Sequence, residues 1–251
     1  MTDSIIMEKT IAKRLLGNID PSFHEVFEPL LISDGFYAIL KTIDAQIREK
    51  KEIYPAIKNI FLPFNIGNFH EMKVIILGQD PYPQKDVATG IAYANKPEQE
   101  TLSPSLRIIV EELTESINDF NEFEFFEKSD LIHWVEQGIY PLNTSFTVLQ
   151  KQPNSHRELW RRFTRALLYR IIWLSRNKLM IVPTGKTAQD SFKEVEQLLE
   201  EKNINASYNV AKVPHPAADT YGNYRRFRGS GIFVNIKDYV KRNYGQDIKY
   251  S

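Results

Sequence analysis

The run from Lys73 to Pro83, Lys-Val-Ile-Ile-Leu-Gly-Gln-Asp-Pro-Tyr-Pro, puts a carboxylate where chemistry can use it. Val74 to Leu77 is apolar and rich in β-branched residues, the pattern of a strand buried on both faces of a parallel sheet. Gly78 permits a tight backbone, and Pro81 and Pro83 forbid a simple continuation. Gln79, Asp80 and Tyr82 are thereby expected on a stiff loop at the carboxyl end of a strand, where open α/β sheets place their ligands. A carboxylate on such a loop suits a reaction that needs negative charge at a fixed place. Later strand-like runs end in polar groups of other kinds: the amide of Asn143, the ammonium of Lys186 and the imidazole of His215. Each alone is weak, because Asp-Pro is a common turn, Asn a common cap, and a His between prolines more often structural than catalytic.

The elements that must position these groups can be read in order. Residues 1–17 are a short helix or a loose arm. Helical spacing over Phe23 to Ile47 predicts one or two helices, and residues 57–64 a short one after Tyr54-Pro55. Strand 73–77 comes next, then a helix opened by Ser103 as N-cap with Pro104 in its first position. Residues 118–130 are acidic and aromatic and are expected to be an exposed connection with aromatic anchors. A helix over 131–135 ends at Gly138, and the run Ile139 to Leu142 leads to Asn143. Arg157 to Leu174 is strongly amphipathic, with Trp160, Phe163, Leu167 and Ile171 on one face. Strands are expected at 179–182 and 208–213, helices at about 186–202 and 232–240. The alternation argues an α/β fold: a single domain with a central, four-stranded, mostly parallel sheet flanked by helices. The strand ends bearing Asp80, Asn143, Lys186 and His215 should gather at one edge.

Composition sets the limits. The chain has 251 residues, 42% hydrophobic and 25% charged, as expected of a soluble globular domain. It has no cysteine, which excludes disulfides, thiolate metal sites and cysteine nucleophiles. Its net charge is zero, so any nucleic-acid binding must come from a local patch. No apolar run approaches membrane-spanning length. Asp3 and Glu8 stand where a signal peptide would be apolar, so the protein is expected to be intracellular: cytoplasmic, or nuclear in a eukaryotic or viral setting.

In this order, the motifs Gly78-Gln-Asp-Pro-Tyr82, Gly90-Ile-Ala-Tyr93, Ser103-Pro-Ser-Leu106, Gly138-Ile-Tyr-Pro-Leu-Asn-Thr144 and His215-Pro216 resemble those of the family 1 uracil-DNA glycosylases. The likeness runs from about Tyr54 to His215, and Ser155-His156 also fits it. It implies an enzyme that flips deoxyuridine out of DNA and hydrolyses its N-glycosidic bond, leaving an abasic site in base-excision repair. It implies catalysis by Asp80, which holds water and stabilises the sugar cation, and by His215, which donates to uracil O2. Asn143 would read uracil, Tyr82 would exclude the thymine methyl, Tyr93 would stack on the base where the family usually has phenylalanine, and Gln79 would line the pocket chiefly through its backbone. Ser103-Pro104-Ser105 and Thr184-Gly185-Lys186 resemble loops that pinch the DNA backbone. Arg225, Arg226 and Arg228 form a basic cluster for DNA or, equally, a solvated surface stretch. Neither a cofactor nor a metal is implied. The expected partners are single- or double-stranded DNA containing uracil and a DNA-mimic inhibitor protein, with the chain itself a monomer. The arm is set at residues 1–17 and the catalytic domain at 18–251.

The chain also departs from the family pattern. Pro83 stands where a histidine usually follows, and residues 217–222 read Ala-Ala-Asp-Thr-Tyr-Gly in place of Ser-Pro-Leu-Ser. The leucine that fills the vacated base stack is thus absent, and Tyr221, Tyr224 or Phe227 is expected to replace it. The first two departures resemble the poxvirus branch, whose members also serve polymerase processivity. A DNA-binding replication scaffold with secondary glycosylase activity is the alternative from another class. A glycosylase of shifted base preference is disfavoured by Tyr82 and Asn143.

Overall fold

The computed structural model describes residues 2–96, 99, 101–221 and 226–251. Three helices come first: α1 (Thr2–Asn18), α2 (His24–Leu31) and α3 (Asp34–Arg48). The first is docked, with Ala12 and Leu15 buried against the other two. A short strand β1 (Ile53–Tyr54) and helix α4 (Leu62–Ile66) lead to β2 (Val74–Gly78). Next come α5 (Pro104–Ser116), α6 (Glu122–Glu127), α7 (Ile132–Glu136), β3 (Ile139–Asn143) and β4 (Val148–Leu149). The chain closes with α8 (Arg157–Leu174), β5 (Leu179–Pro183), α9 (Gly185–Glu201), β6 (Tyr208–Val210) and α10 (Ile232–Tyr244).

The main sheet has four parallel strands in the order β3-β2-β5-β6. Every residue of β2, β3 and β5 is buried, as expected for strands covered on both faces by helices. Strand β3 lies at the sheet edge, which is where a strand tolerates Pro141. Register levels the carboxyl ends: Gly78 pairs with Asn143, and Leu77 with both Leu142 and Pro183. The catalytic candidates therefore emerge along one edge. At the opposite edge the helices return through short turns, such as the exposed one around Lys202 and Asn203 between α9 and β6. Among the described residues no helix is long and apolar enough to cross a membrane.

Three local expectations need correction, and one feature was not expected. The last strand, a half-exposed edge strand, stops at Val210; beyond it Ala211 N–H donates to Ile181 O at 2.9 Å, and Val213 forms an isolated bridge to Thr184. Residues 118–130 include a helix, α6, capped by the Asn121 side chain, which accepts from the N–H groups of Phe123 and Glu124. Ser103 occupies the N-cap position of α5 but makes no side-chain cap, because its hydroxyl donates to Asn95 Oδ1 at 2.6 Å. Strands β1 and β4 form a two-stranded antiparallel pair that the sequence pattern does not announce.

Candidate active site

The loop after β2 is tied to the chain after β3. Thr144 N–H donates to Gly78 O at 3.1 Å, and Ser145 N–H donates to Gln79 O at 3.0 Å. The Thr144 hydroxyl donates to the same Gln79 carbonyl at 2.8 Å. Gly78 is required by space: a Cβ there would lie 2.8 Å from Asn143 Oδ1 and 3.1 Å from Tyr93 Oη. The glycine thus lets the amide and the phenol close over the end of β2.

Asp80 is half-buried, and both carboxyl oxygens are occupied. Gln79 Nε2 donates to Oδ1 at 3.0 Å, and Asn154 N–H donates to Oδ2 at 2.7 Å. Burial pushes the Asp80 carboxyl above the usual carboxylate range, and these two hydrogen bonds pull it partly back. Asn154 reaches it on a braced loop: Ser155 Oγ accepts from Leu149 N–H at 2.8 Å, and buried His156 bonds Thr147 Oγ1 through Nδ1 at 2.7 Å. The Ser155-His156 pair thus supports the loop rather than touching the carboxylate.

Asn143 ends β3 and is 8% exposed. Tyr93, also buried, sits at φ 65°, an uncommon conformation for a bulky residue. Its hydroxyl meets that of Thr184, which itself donates to Leu77 O at 2.6 Å; Tyr93 is therefore the donor to Thr184. The Tyr82 hydroxyl donates to Tyr93 O at 3.2 Å. Burial pushes both phenols well above their usual range, so both stay protonated.

His215 follows Pro214 and faces the Tyr93 ring at 5.9 Å between centroids. Burial lowers its imidazole to about 4, so it is neutral at physiological pH. Ala217 N–H donates to its Nδ1 at 3.1 Å. A neutral imidazole carries one proton, so Nδ1 as acceptor leaves that proton on Nε2. The other side of the residue is set by Gly185, whose φ is +78° and whose added Cβ would lie 2.7 Å from His215 Cβ. Gly185 N–H and Gln189 Nε2 both bond Val213 O, at 2.8 and 2.9 Å, fixing the approach to the Pro214-His215 turn.

The remaining sequence candidates divide. Lys186 and Arg226 are exposed and, with Lys212 and His215, line an open groove of about 1010 Å³. Ser103 is half-buried, Pro104 exposed and Ser105 buried at the start of α5, beside the Tyr82 hydroxyl. Arg228 is engaged internally, with Glu111 at 3.0 Å and Asp219 at 3.3 Å, so its guanidinium does not face the groove as a free cation. Phe227 is 2% exposed and packs near Phe233 at 6.1 Å, which removes it from the candidates for a base-stack wedge. Arg225 and Tyr224, and the side chain of Tyr221, lie outside what the structure describes. Sequence reasoning placed Thr184 and Gly185 only in the loop with Lys186; it missed their contacts to Tyr93 and His215, and it missed Lys212 altogether. It also missed Asn154, which acts through its backbone N–H. The site therefore combines a fixed carboxylate, an amide with one donor and one acceptor, two aromatic walls and a neutral imidazole with its proton on Nε2.

Residues 64–228 match the family described as the Uracil DNA glycosylase superfamily. The uracil-DNA glycosylase of Lachnoclostridium phytofermentans is 33% identical over 192 residues, 76% of this chain and 79% of that protein. That of Mesomycoplasma hyopneumoniae is 30% identical over 220 residues, 86% and 91% of the two chains. Among solved structures, mimivirus uracil-DNA glycosylase superposes with a TM-score of 0.76 at 20% identity, covering 94% of this chain and 88% of that one. A variant of the mimivirus protein solved in complex with UGI superposes with a TM-score of 0.77, covering 95% and 90% at 20% identity.

Proposed function

The chain belongs to the uracil DNA glycosylase superfamily and is a DNA N-glycosylase, a hydrolase acting on uracil-containing DNA; from that premise we propose which residues carry the reaction. Deoxyuridine leaves the stack and enters the space bounded by Gln79, Tyr82, Tyr93 and Asn143. Flipping costs a few kcal/mol, less for a mismatched uracil. The Asn143 amide offers a donor and an acceptor to O4 and N3–H; cytosine presents a donor where uracil has O4, so the match fails. The Tyr82 ring leaves no room for a methyl at C5, and the Tyr93 ring stacks on the base.

Cleavage of the glycosidic bond leaves positive charge on the sugar and negative charge on the base. Asp80 stabilises the first and orients the attacking water. His215 stabilises the second by donating Nε2–H to uracil O2 as charge develops there. The observation that carries this reading is the Ala217 N–H on His215 Nδ1, which together with burial supports a neutral ring with Nε2 as its donor. Lys186, Lys212 and Arg226 contact DNA phosphates along the groove they line, and the Ser103-Pro104-Ser105 turn beside Tyr82 contacts the backbone as well.

The motif order supports assignment to family 1, and Pro83 with the Ala217-Ala218 pair supports a place near its poxvirus branch. In this reading residues 18–251 are the catalytic domain, with 1–17 an arm. The protein works as a monomer in the cytoplasm, or in the nucleus of a eukaryotic or viral setting. The same groove takes a DNA-mimic inhibitor protein.

The test is uracil release from single- and double-stranded oligonucleotides in EDTA, beside thymine, cytosine and hypoxanthine controls and the variants Asp80→Asn and His215→Ala. Uracil-only excision that falls by orders of magnitude in both variants is expected. Full excision in either variant would remove that residue from its assigned role. DNA binding without excision in the unaltered protein would point to the scaffold reading.

A further inference from the structure

Asp219 lies four residues beyond His215, in the 3₁₀ turn Pro216–Tyr221. Its side chain is fully enclosed. Oδ1 accepts from Phe227 N–H at 2.6 Å, and Oδ2 accepts from Arg228 N–H at 3.0 Å and from Arg228 Nε at 3.3 Å. A carboxylate taken out of water is costly unless its lone pairs are filled, and charge-assisted bonds to fixed donors define one pose. Asp219 therefore has a single well-defined position relative to residues 227 and 228.

Those residues are themselves anchored. Phe227 is in the core, and Arg228 Nη1 reaches Glu111 at 3.0 Å. Gly229 and Gly231 donate their N–H groups to the buried Glu112 carboxylate at 2.5 and 2.8 Å. Both glutamates belong to α5, whose Leu106, Ile109 and Leu113 are fixed in the core. A continuous path thus runs from α5 through residues 227–231 to Asp219.

From Asp219 the path continues to the imidazole. Ala218 N–H donates to His215 O at 2.8 Å, and Ala217 N–H donates to His215 Nδ1 at 3.1 Å. One part of the turn grips the ring, and another is gripped by the anchor. We propose that Asp219 is a positioning residue for the reaction: by fixing this turn, it keeps the Ala217 amide on Nδ1 and so keeps the His215 proton on Nε2. The proposal rests on the reading of His215 as donor to uracil O2. If the turn slackens, Nδ1 can take the proton instead, and Nε2 then accepts and offers nothing to a carbonyl oxygen. Gly185 still walls the His215 Cβ, so the ring keeps its place and loses its tautomer.

Asp219→Asn tests this. The substitution keeps the shape but turns an NH₂ group towards one of the N–H donors. Two readouts are needed on the full-length protein: the His215 ring-nitrogen chemical shifts without DNA, and single-turnover uracil release together with KM. In the unaltered protein, the Nδ1 shift should be that of an unprotonated nitrogen. In Asp219→Asn, the two ring-nitrogen shifts should move towards each other. Uracil release should slow by about 10-fold or more, part of the ~10²–10³ attached to a whole oxyanion donor, with KM within about threefold. Arg228→Gln, which removes the guanidinium and leaves the carboxylate, should move both readouts the same way by less, and it takes over the test if Asp219→Asn does not fold. A folded variant with unchanged tautomer, or one that melts earlier while releasing uracil at the original rate, overturns the proposal. Undiminished excision by His215→Ala overturns the reading beneath it, independently of the tautomer result.

Discussion

Asn154 donates its backbone N–H to Asp80 Oδ2 at 2.7 Å while itself sitting at φ 65°. The carboxylate is thus oriented from a second loop by a group that no side-chain substitution removes. With Gln79 on Oδ1, Asp80 is steered at both oxygens and remains half-buried.

The first expected outcome concerns acid pH and stability. Asp80 works ionised, and burial raises its pKa, so activity should fall on acidification at a pH above that of an ordinary aspartate. A carboxyl whose folded pKa exceeds its unfolded one binds protons more readily when folded, so its charge opposes folding at neutral pH and the opposition disappears in acid. Asp80→Asn should therefore lose activity by orders of magnitude yet melt higher at pH 7, with the gain fading towards pH 3. Activity profiles and melting curves at both pH values check this.

His215 should show no titration across the neutral range. Its pKa of about 4 leaves the ring neutral well below pH 6. A histidine depressed on folding is protonated more readily in the unfolded chain, so its contribution to stability is present at neutral pH and is lost as pH falls through about 6.5 towards 4. A flat His215 chemical shift from pH 5.5 to 8.5 is expected. A midpoint inside that window would contradict the neutral donor.

Gly185→Ala should damage both fold and rate. The position has φ +78°, and the new Cβ would lie 2.7 Å from His215 Cβ. Left-handed backbone alone costs a non-glycine residue ~1–2 kcal/mol, so a fall of a few degrees in Tm is expected. The rate should fall further than that loss of folded protein explains, measured at a temperature where the variant is fully folded.

Tyr82→Ala should admit thymine. Removing the ring opens the space beside C5 while leaving Asn143, Asp80 and His215 in place. Thymine release from a thymine-containing oligonucleotide, absent in the unaltered protein, is the readout.

Lys186→Gln combined with Lys212→Gln should weaken DNA binding without altering the chemical step. Each lost phosphate contact should reduce the salt dependence of log K by about 0.7–0.9. Affinity measured across a salt series and single-turnover rates at saturating enzyme separate the two effects.

The sheet was legible because its strands are apolar runs with abrupt polar ends. Leu77-Gly78 and Leu142-Asn143 announce strand ends by composition alone, and their levelled register follows once the strands are parallel. Pairs such as Ile53 with Leu149 were not legible, because a two-residue strand exists only through its distant partner. Ser103 looked like a cap because the sequence does not show that Asn95, eight residues earlier, competes for its hydroxyl. Arg228 looked like part of a basic patch because its partner Glu111 is 117 residues away. Asn154 was invisible for a different reason: its contribution is an amide that almost any residue supplies.

The levelled strand ends give the molecule a working edge and an idle one. Tyr93, Thr184 and Leu77 are linked across the first, so its loops depend on one another. The turn around Lys202 and Asn203 lies on the second, exposed and outside that linkage. The two edges are therefore under different constraints. Length and composition can drift at the idle edge, and foreign sequence can be spliced there, while a single added methyl at Gly78 or Gly185 on the working edge reaches the catalytic groups directly.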